Sequence, residues 1–190
     1  MTRLTRMILL ILLCCCAVSC DKGATNPADT LYKQEQSADN LKGLIEAIVK
    51  AQESGDLATA AKLANNLVAD ADTLKKAFKD DPPSDFFATQ VERLGRFPST
   101  EAELANLVRR GKPQYTQINI HATTTEELIA NTGVAAREFS QVPRDFAANL
   151  RPGMTFYAQE FVEPGKEAGR KYLMFLWDGA RWRMIGPSWR

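Results

Sequence analysis

The chain has 190 residues, 45% of them hydrophobic and 25% charged, which is room for one domain with a proper core and excludes wholesale disorder. Its formal charge of +1 becomes −1 if Arg3 and Arg6 are lost with an export segment, so nothing global points to a polyanion, and no nucleic-acid partner is expected. The charge is unevenly spread: residues 20–90 carry 8 Lys, no Arg and 12 acidic groups, whereas residues 91–190 carry 11 Arg, 3 Lys and 11 acidic groups.

Residues 1–20 read MTRLTRMILLILLCCCAVSC, with two arginines ahead of an apolar run from Met7 to Val18 and the small Ser19 before Cys20. This is the layout of a secretory signal. Twelve apolar residues are too few to cross a bilayer, which takes about 20, so the segment is read as cleaved after residue 19. Ala17-Val18-Ser19-Cys20 resembles the lipobox of bacterial lipoproteins. That resemblance implies a diacylglycerol on the Cys20 sulfur, cleavage just before it, and a protein held by acyl chains on the exported, periplasmic side of a membrane in the cell envelope.

All four cysteines lie at or before position 20, so the remainder offers neither an intramolecular disulfide nor a thiol nucleophile. The single histidine, His121, has no cysteine near it, and no D-x-D-x-D-G loop occurs, so neither a metal nor another cofactor is expected. Residues 20–36 are polar and aperiodic and read as a tether; residues 37–190 read as a single globular domain.

Ser37 caps a predicted helix whose stripe is Leu41, Leu44, Ile45, Ile48 and Val49. Ser54-Gly55-Asp56 ends it and opens a second helix striped by Leu57, Ala60, Ala61, Ala64, Leu67 and Val68, making a helical hairpin. A short amphipathic turn through Leu74, Ala77 and Phe78 stops at Pro82-Pro83. A helix then begins at Ser84, and another is capped by Thr100 with Glu103 and runs past Leu107 and Val108 to Gly111.

After Pro113 the period becomes 2, with Ile118 and Ile120 on one face and Tyr115, Gln117, Asn119 and His121 on the other. A short helix follows at residues 126–130, a short strand is expected at residues 134–139, and a helix lies within residues 141–150. The last 37 residues hold all three tryptophans and read as an antiparallel meander: Met154 to Val162, Arg170 to Trp177 and Ala180 to Ile185. The middle strand is apolar on both faces. The last alternates Trp182 and Met184 against Arg181 and Arg183, which predicts one wet face, and Asp178-Gly179 predicts a tight type I′ turn.

Helices followed by a meander give an α+β fold with the helices expected on one face of the sheet. The Ser54-Gly55-Asp56 link and the closing Trp177-Asp178-Gly179 with Trp182 resemble the NTF2-like cone fold. The resemblance implies that a His or carboxylate inside the cone acts as general acid or base, with His121 and Glu160 as the candidates. The plainer reading of His121 is the solvent face of an edge strand or a satisfied structural histidine. No nucleophile elbow, Walker A loop, dinucleotide fingerprint or H-E-x-x-H is present. Trp189, Arg181 and Arg183 are the candidate contact residues for a partner. The sequence therefore favours a lipid-anchored, non-catalytic binding or structural module for an envelope protein or small ligand, with an NTF2-like hydrolase or isomerase working through His121 as the alternative.

Overall fold

The computed structural model describes residues 36–188, so the Cys20 lipobox, nearly all of the tether and Trp189 lie outside the described residues. No helix among the described residues is long and apolar enough to cross a membrane. The architecture is α+β: helices precede a C-terminal four-stranded antiparallel sheet with strand order β1-β2-β3-β4.

Helix α1 (Ala38–Glu53) starts where the Ser37 hydroxyl accepts the Asn40 N–H, and all five positions of its apolar stripe are buried. Gly55, at φ +77°, turns the chain, and the Asp56 carboxylate caps α2 (Leu57–Asn65) through the Thr59 N–H. Helix α3 (Ala71–Ala77) has a reciprocal capping box between Asp70 and Thr73, and α4 (Ser84–Leu94) follows the Pro82-Pro83 break. The Thr100 and Glu103 box is formed as well, yet α5 (Glu101–Leu104) is a single turn rather than a helix reaching Gly111. The backbone groups that would carry it further are taken by tertiary partners. Gln52 donates to the Ala105 and Val108 carbonyls at 2.6 and 2.8 Å, and the Arg109 N–H donates to the Tyr172 hydroxyl at 3.0 Å.

Strand β1 (Gln117–Thr124) is followed by three short helices, α6 (Thr125–Ala130), α7 (Gly133–Glu138) and α8 (Arg144–Ala148), before β2 (Thr155–Val162), β3 (Arg170–Trp177) and β4 (Trp182–Met184). The strand expected at residues 134–139 is thus helix α7. Ala135 and Phe139, four apart, are the residues that reach the core, a helical period rather than a strand's alternation.

The sheet is covered on both faces, which corrects the expectation that the helices gather on one. Helices α1 and α2 pack with Ile118, Tyr157, Phe161, Phe175, Trp182 and Met184 on the first face. Leu74, Phe78, Leu128, Phe139 and Phe146, from α3, α6, α8 and their flanks, pack with Phe156, Ala158, Leu173, Met174 and Leu176 on the second. A bulge makes this possible. Tyr157 pairs with Phe175 and Gln159 with Tyr172, so Leu173 and Met174 together oppose Ala158, and both point to the second face. Met174 sits at φ +63°, a conformation that disfavours a side chain, and its full burial offsets that cost.

Two expectations about the last hairpin are also corrected. The turn is a four-residue loop closed by the Asp178 N–H to the Arg181 carbonyl, because the Asp178 carboxylate accepts the Ala180 and Arg181 N–H groups and opens the two-residue turn. Arg183 does not face water: its side chain is 7% exposed, and it donates to Asp178 at 3.0 Å, to Asp70 at 3.1 Å and to the Val68 carbonyl at 2.6 Å. Burial alone would push the Asp178 carboxyl up. The Arg183 hydrogen bond, the two N–H groups and the Arg183 charge outweigh it and hold that carboxyl below the ordinary range.

Trp182→Ala, which empties a fully buried site, is expected to cost about 3 to 5 kcal/mol. Arg183→Ala is expected to cost a similar amount, about 3 to 5 kcal/mol, because it strands a buried carboxylate. Urea midpoints at unchanged m-value check both. A carboxyl held low in the folded state stabilises fully above its unfolded pKa and loses that contribution as pH falls through the folded one. The midpoint of the wild type is therefore expected to drop below about pH 4 more steeply than that of Asp178→Asn.

Candidate functional site

His121 and Glu160, the two residues singled out for acid-base chemistry, do meet. In the register of β1 and β2, His121 lies opposite Ala158 and Asn119 opposite Glu160, which puts both functional side chains on the second face of the sheet. The His121 Nε2 atom lies 3.7 Å from Glu160 Oε2 and 3.7 Å from Glu138 Oε2, the latter carried in by α7. Lys171, the cross-strand partner of Glu160 on β3, completes the group: its Nζ donates to Glu138 Oε2 at 2.6 Å and lies 3.7 Å from Glu160 Oε1.

The four groups are held from several directions. Glu160 is 4% exposed, and its Oε1 accepts the Gly169 N–H at 3.0 Å. Gly169 is fixed by space rather than by torsion, since a Cβ there would overlap the Phe161 carbonyl oxygen. The hydrogen bond from Lys171 holds the Glu138 carboxyl below the ordinary carboxylate range against the opposing effect of burial, and the charges of His121, Lys171 and Arg137 add to it. His121 is three-quarters buried, and its Nε2 has neither accessible surface nor a hydrogen-bond partner. The arrangement is a compact ion cluster, one imidazole nitrogen facing two carboxylates of which one is clamped by an ammonium.

The rest of the polar face disperses. Gln117 donates to Asn119 at 2.7 Å, while Tyr115 precedes the strand and packs against the first-face core, so it is no part of the cluster. Arg181 is half-buried and lines an open cleft of about 580 Å³ with Asp70, Asp72, Thr73 and Lys76. Arg183 lines the same cleft, but its donors are committed to Asp178, Asp70 and Val68, which removes it as a free contact residue. Glu138 and Lys171 are absent from the sequence reading: the first because α7 is read there as a strand, the second although an opposite-charge pair set into two apolar strands is itself a signal of register.

A second cleft, of about 290 Å³, is walled by Phe97, Pro98, Leu107, Tyr172, Met184 and Pro187. Arg93 and Arg96 stand at it; Arg93 donates to the Ser188 carbonyl at 3.1 Å, and Arg96 pairs with Glu92 at 3.3 Å. Ser188 lines this cleft, and its hydroxyl is buried without a hydrogen-bond partner. The chain matches no protein-family profile, no curated protein and no solved structure.

Gly169→Ala is expected to destabilise by about 3 kcal/mol or more, since backbone must move to admit the methyl group. Gly165→Ala, at φ +81° but in open space, is expected to cost about 1 to 2 kcal/mol. Paired urea titrations separate the two.

Proposed function

We propose that the chain is a bacterial envelope lipoprotein, anchored by acyl chains on Cys20 and lifted from the membrane by the polar tether, whose globular domain is a binding module without catalysis. The anchor rests on the lipobox resemblance and the export signal. The observation that carries the binding reading is the apolar cleft beside Tyr172 and Met184. Its walls are aromatic and aliphatic, two arginines stand at it, and among the described residues it is lined by no histidine, carboxylate or cysteine. A small amphiphile or an apolar segment of an envelope partner fits such a surface.

The alternative, a hydrolase or isomerase using His121 as general acid or base in an NTF2-like cone, has the close approach of His121 to Glu160 in its favour. Against it stands access: Nε2, the nitrogen that faces the carboxylates, has no accessible surface, so no substrate proton reaches it while the cluster is assembled.

Two measurements test the proposal. Labelled palmitate is expected to enter the wild type and not Cys20→Ser; equal labelling of both would remove the anchor. In complementation of a deletion strain, Leu107→Asp in the cleft is expected to fail, while His121→Ala succeeds, each variant first shown to fold by circular dichroism. An enzyme relying on its only imidazole would instead lose about 10² to 10⁴ in rate with His121→Ala and fail to complement.

A further inference from the structure

We infer that His121, Glu138 and Glu160 form a site for one divalent transition-metal ion of the zinc type, which ties α7 to the β1–β2 pair. The inference goes beyond the binding-module reading and does not rest on it, since it concerns the opposite face of the sheet. One ligand atom from each of the three side chains lies within 4.8 Å of the other two. An ion at their centre is therefore within about 2.8 Å of all three, against zinc bonds of about 2.0 to 2.2 Å to nitrogen and carboxylate oxygen. The difference is closed by small rotations of two glutamate side chains whose carboxylates already face the imidazole.

Three further observations favour a cation. The His121 Nε2 atom is buried and makes no hydrogen bond, although it lies 3.7 Å from each of two carboxylates. Glu138 and Glu160 both lie within 4 Å of the one Lys171 ammonium in a largely buried place, where carboxylates call for cationic partners. The Gly169 N–H holds Oε1 of Glu160 and leaves Oε2 directed to His121, the kind of supporting bond that orients a metal-ligating carboxylate. The donor set selects the ion: one imidazole with two carboxylates suits zinc, iron, nickel or copper, whereas calcium and magnesium favour oxygen donors alone.

Lys171 is the competitor. Its Nζ donates to Glu138 Oε2, the same oxygen that faces His121. It stands at the end of a flexible stem that is 19% exposed, so the ammonium can swing outward when an ion takes its place. The site is thus exchangeable between an internal ammonium and an external metal ion. This makes a distinctive expectation, because deleting a basic residue should strengthen binding of a cation.

The full chain without an affinity tag, its cysteines alkylated so that they cannot ligate, is stripped with chelator and titrated with zinc chloride by calorimetry. The wild type is expected to bind one equivalent, His121→Gln to bind at least about 10-fold more weakly, and Lys171→Met about 10-fold more tightly. Calcium chloride is expected to give no saturable heat. A gain of affinity in Lys171→Met cannot come from a misfolded protein, so the test survives even if His121→Gln folds poorly. Absence of binding in both the wild type and Lys171→Met overturns the inference. So does undiminished binding in a folded His121→Gln, or an affinity indifferent to Lys171→Met, either of which puts the ion elsewhere. Failure here leaves the cleft and the anchor untouched, since neither palmitate labelling nor complementation by Leu107→Asp reads this site.

Discussion

Burying Trp182 requires a partner for its indole N–H, and the Asn40 side chain in the first turn of α1 supplies it at 2.6 Å, across 142 residues of sequence. Tyr157 and Trp177 meet the same indole edge to face at 5.0 and 5.5 Å. The next residue, Arg183, points the other way and fastens the strand to the cap of α3 through Asp70 and to the hairpin loop through Asp178. A strand of only three residues therefore couples both helical layers to the sheet. With no thiol after Cys20, no disulfide does this work; a buried hydrogen bond and a buried ion network do it instead.

The bulge at Leu173 and Met174 has the same reach. By placing two successive side chains on the second face, it lets β3 feed the Phe78 and Phe146 cluster at one end while Lys171, at the other, stands opposite Glu160. The ion cluster around His121 thus forms where the second-face core gives way to charge at the edge of the sheet. Its Glu138 arrives on α7 because Ala135 and Phe139 anchor that helix in the core.

Most of the helical caps are legible in the sequence because each is local: Ser37, Asp56 and Thr100 act within three residues, and the structure forms all three as expected. The meander is legible for the same reason, through alternation and the Asp178-Gly179 punctuation. What escapes is decided by distant partners. Helix α5 stops after one turn because Gln52 and Tyr172 take the backbone groups that would extend it, and Arg183 leaves its expected wet face because it pairs with Asp70, 113 residues away. His121 and Glu160 are found from the sequence, since each lies on a readable strand. Glu138 and Lys171 need the position of α7 and the register across the bulge, and neither is local.

The two sheet edges show why the charged groups sit where they do. Open strand edges invite pairing with other chains, and a domain without disulfides has only its own surface to prevent it. At β4 the edge is short, and the Met184 N–H is already given to the Leu67 carbonyl at 2.7 Å, with Val68 bridging alongside. At β1, eight residues long, the second-face positions are Gln117, Asn119, His121 and Thr123, whose polar side chains bond within the strand, join the ion cluster or reach Glu127. A flat apolar edge is thereby avoided at both ends. The same polarity that keeps β1 from pairing is what brings an imidazole and two carboxylates together at one place, so the candidate ion site is a by-product of protecting the strand as much as a feature added to it.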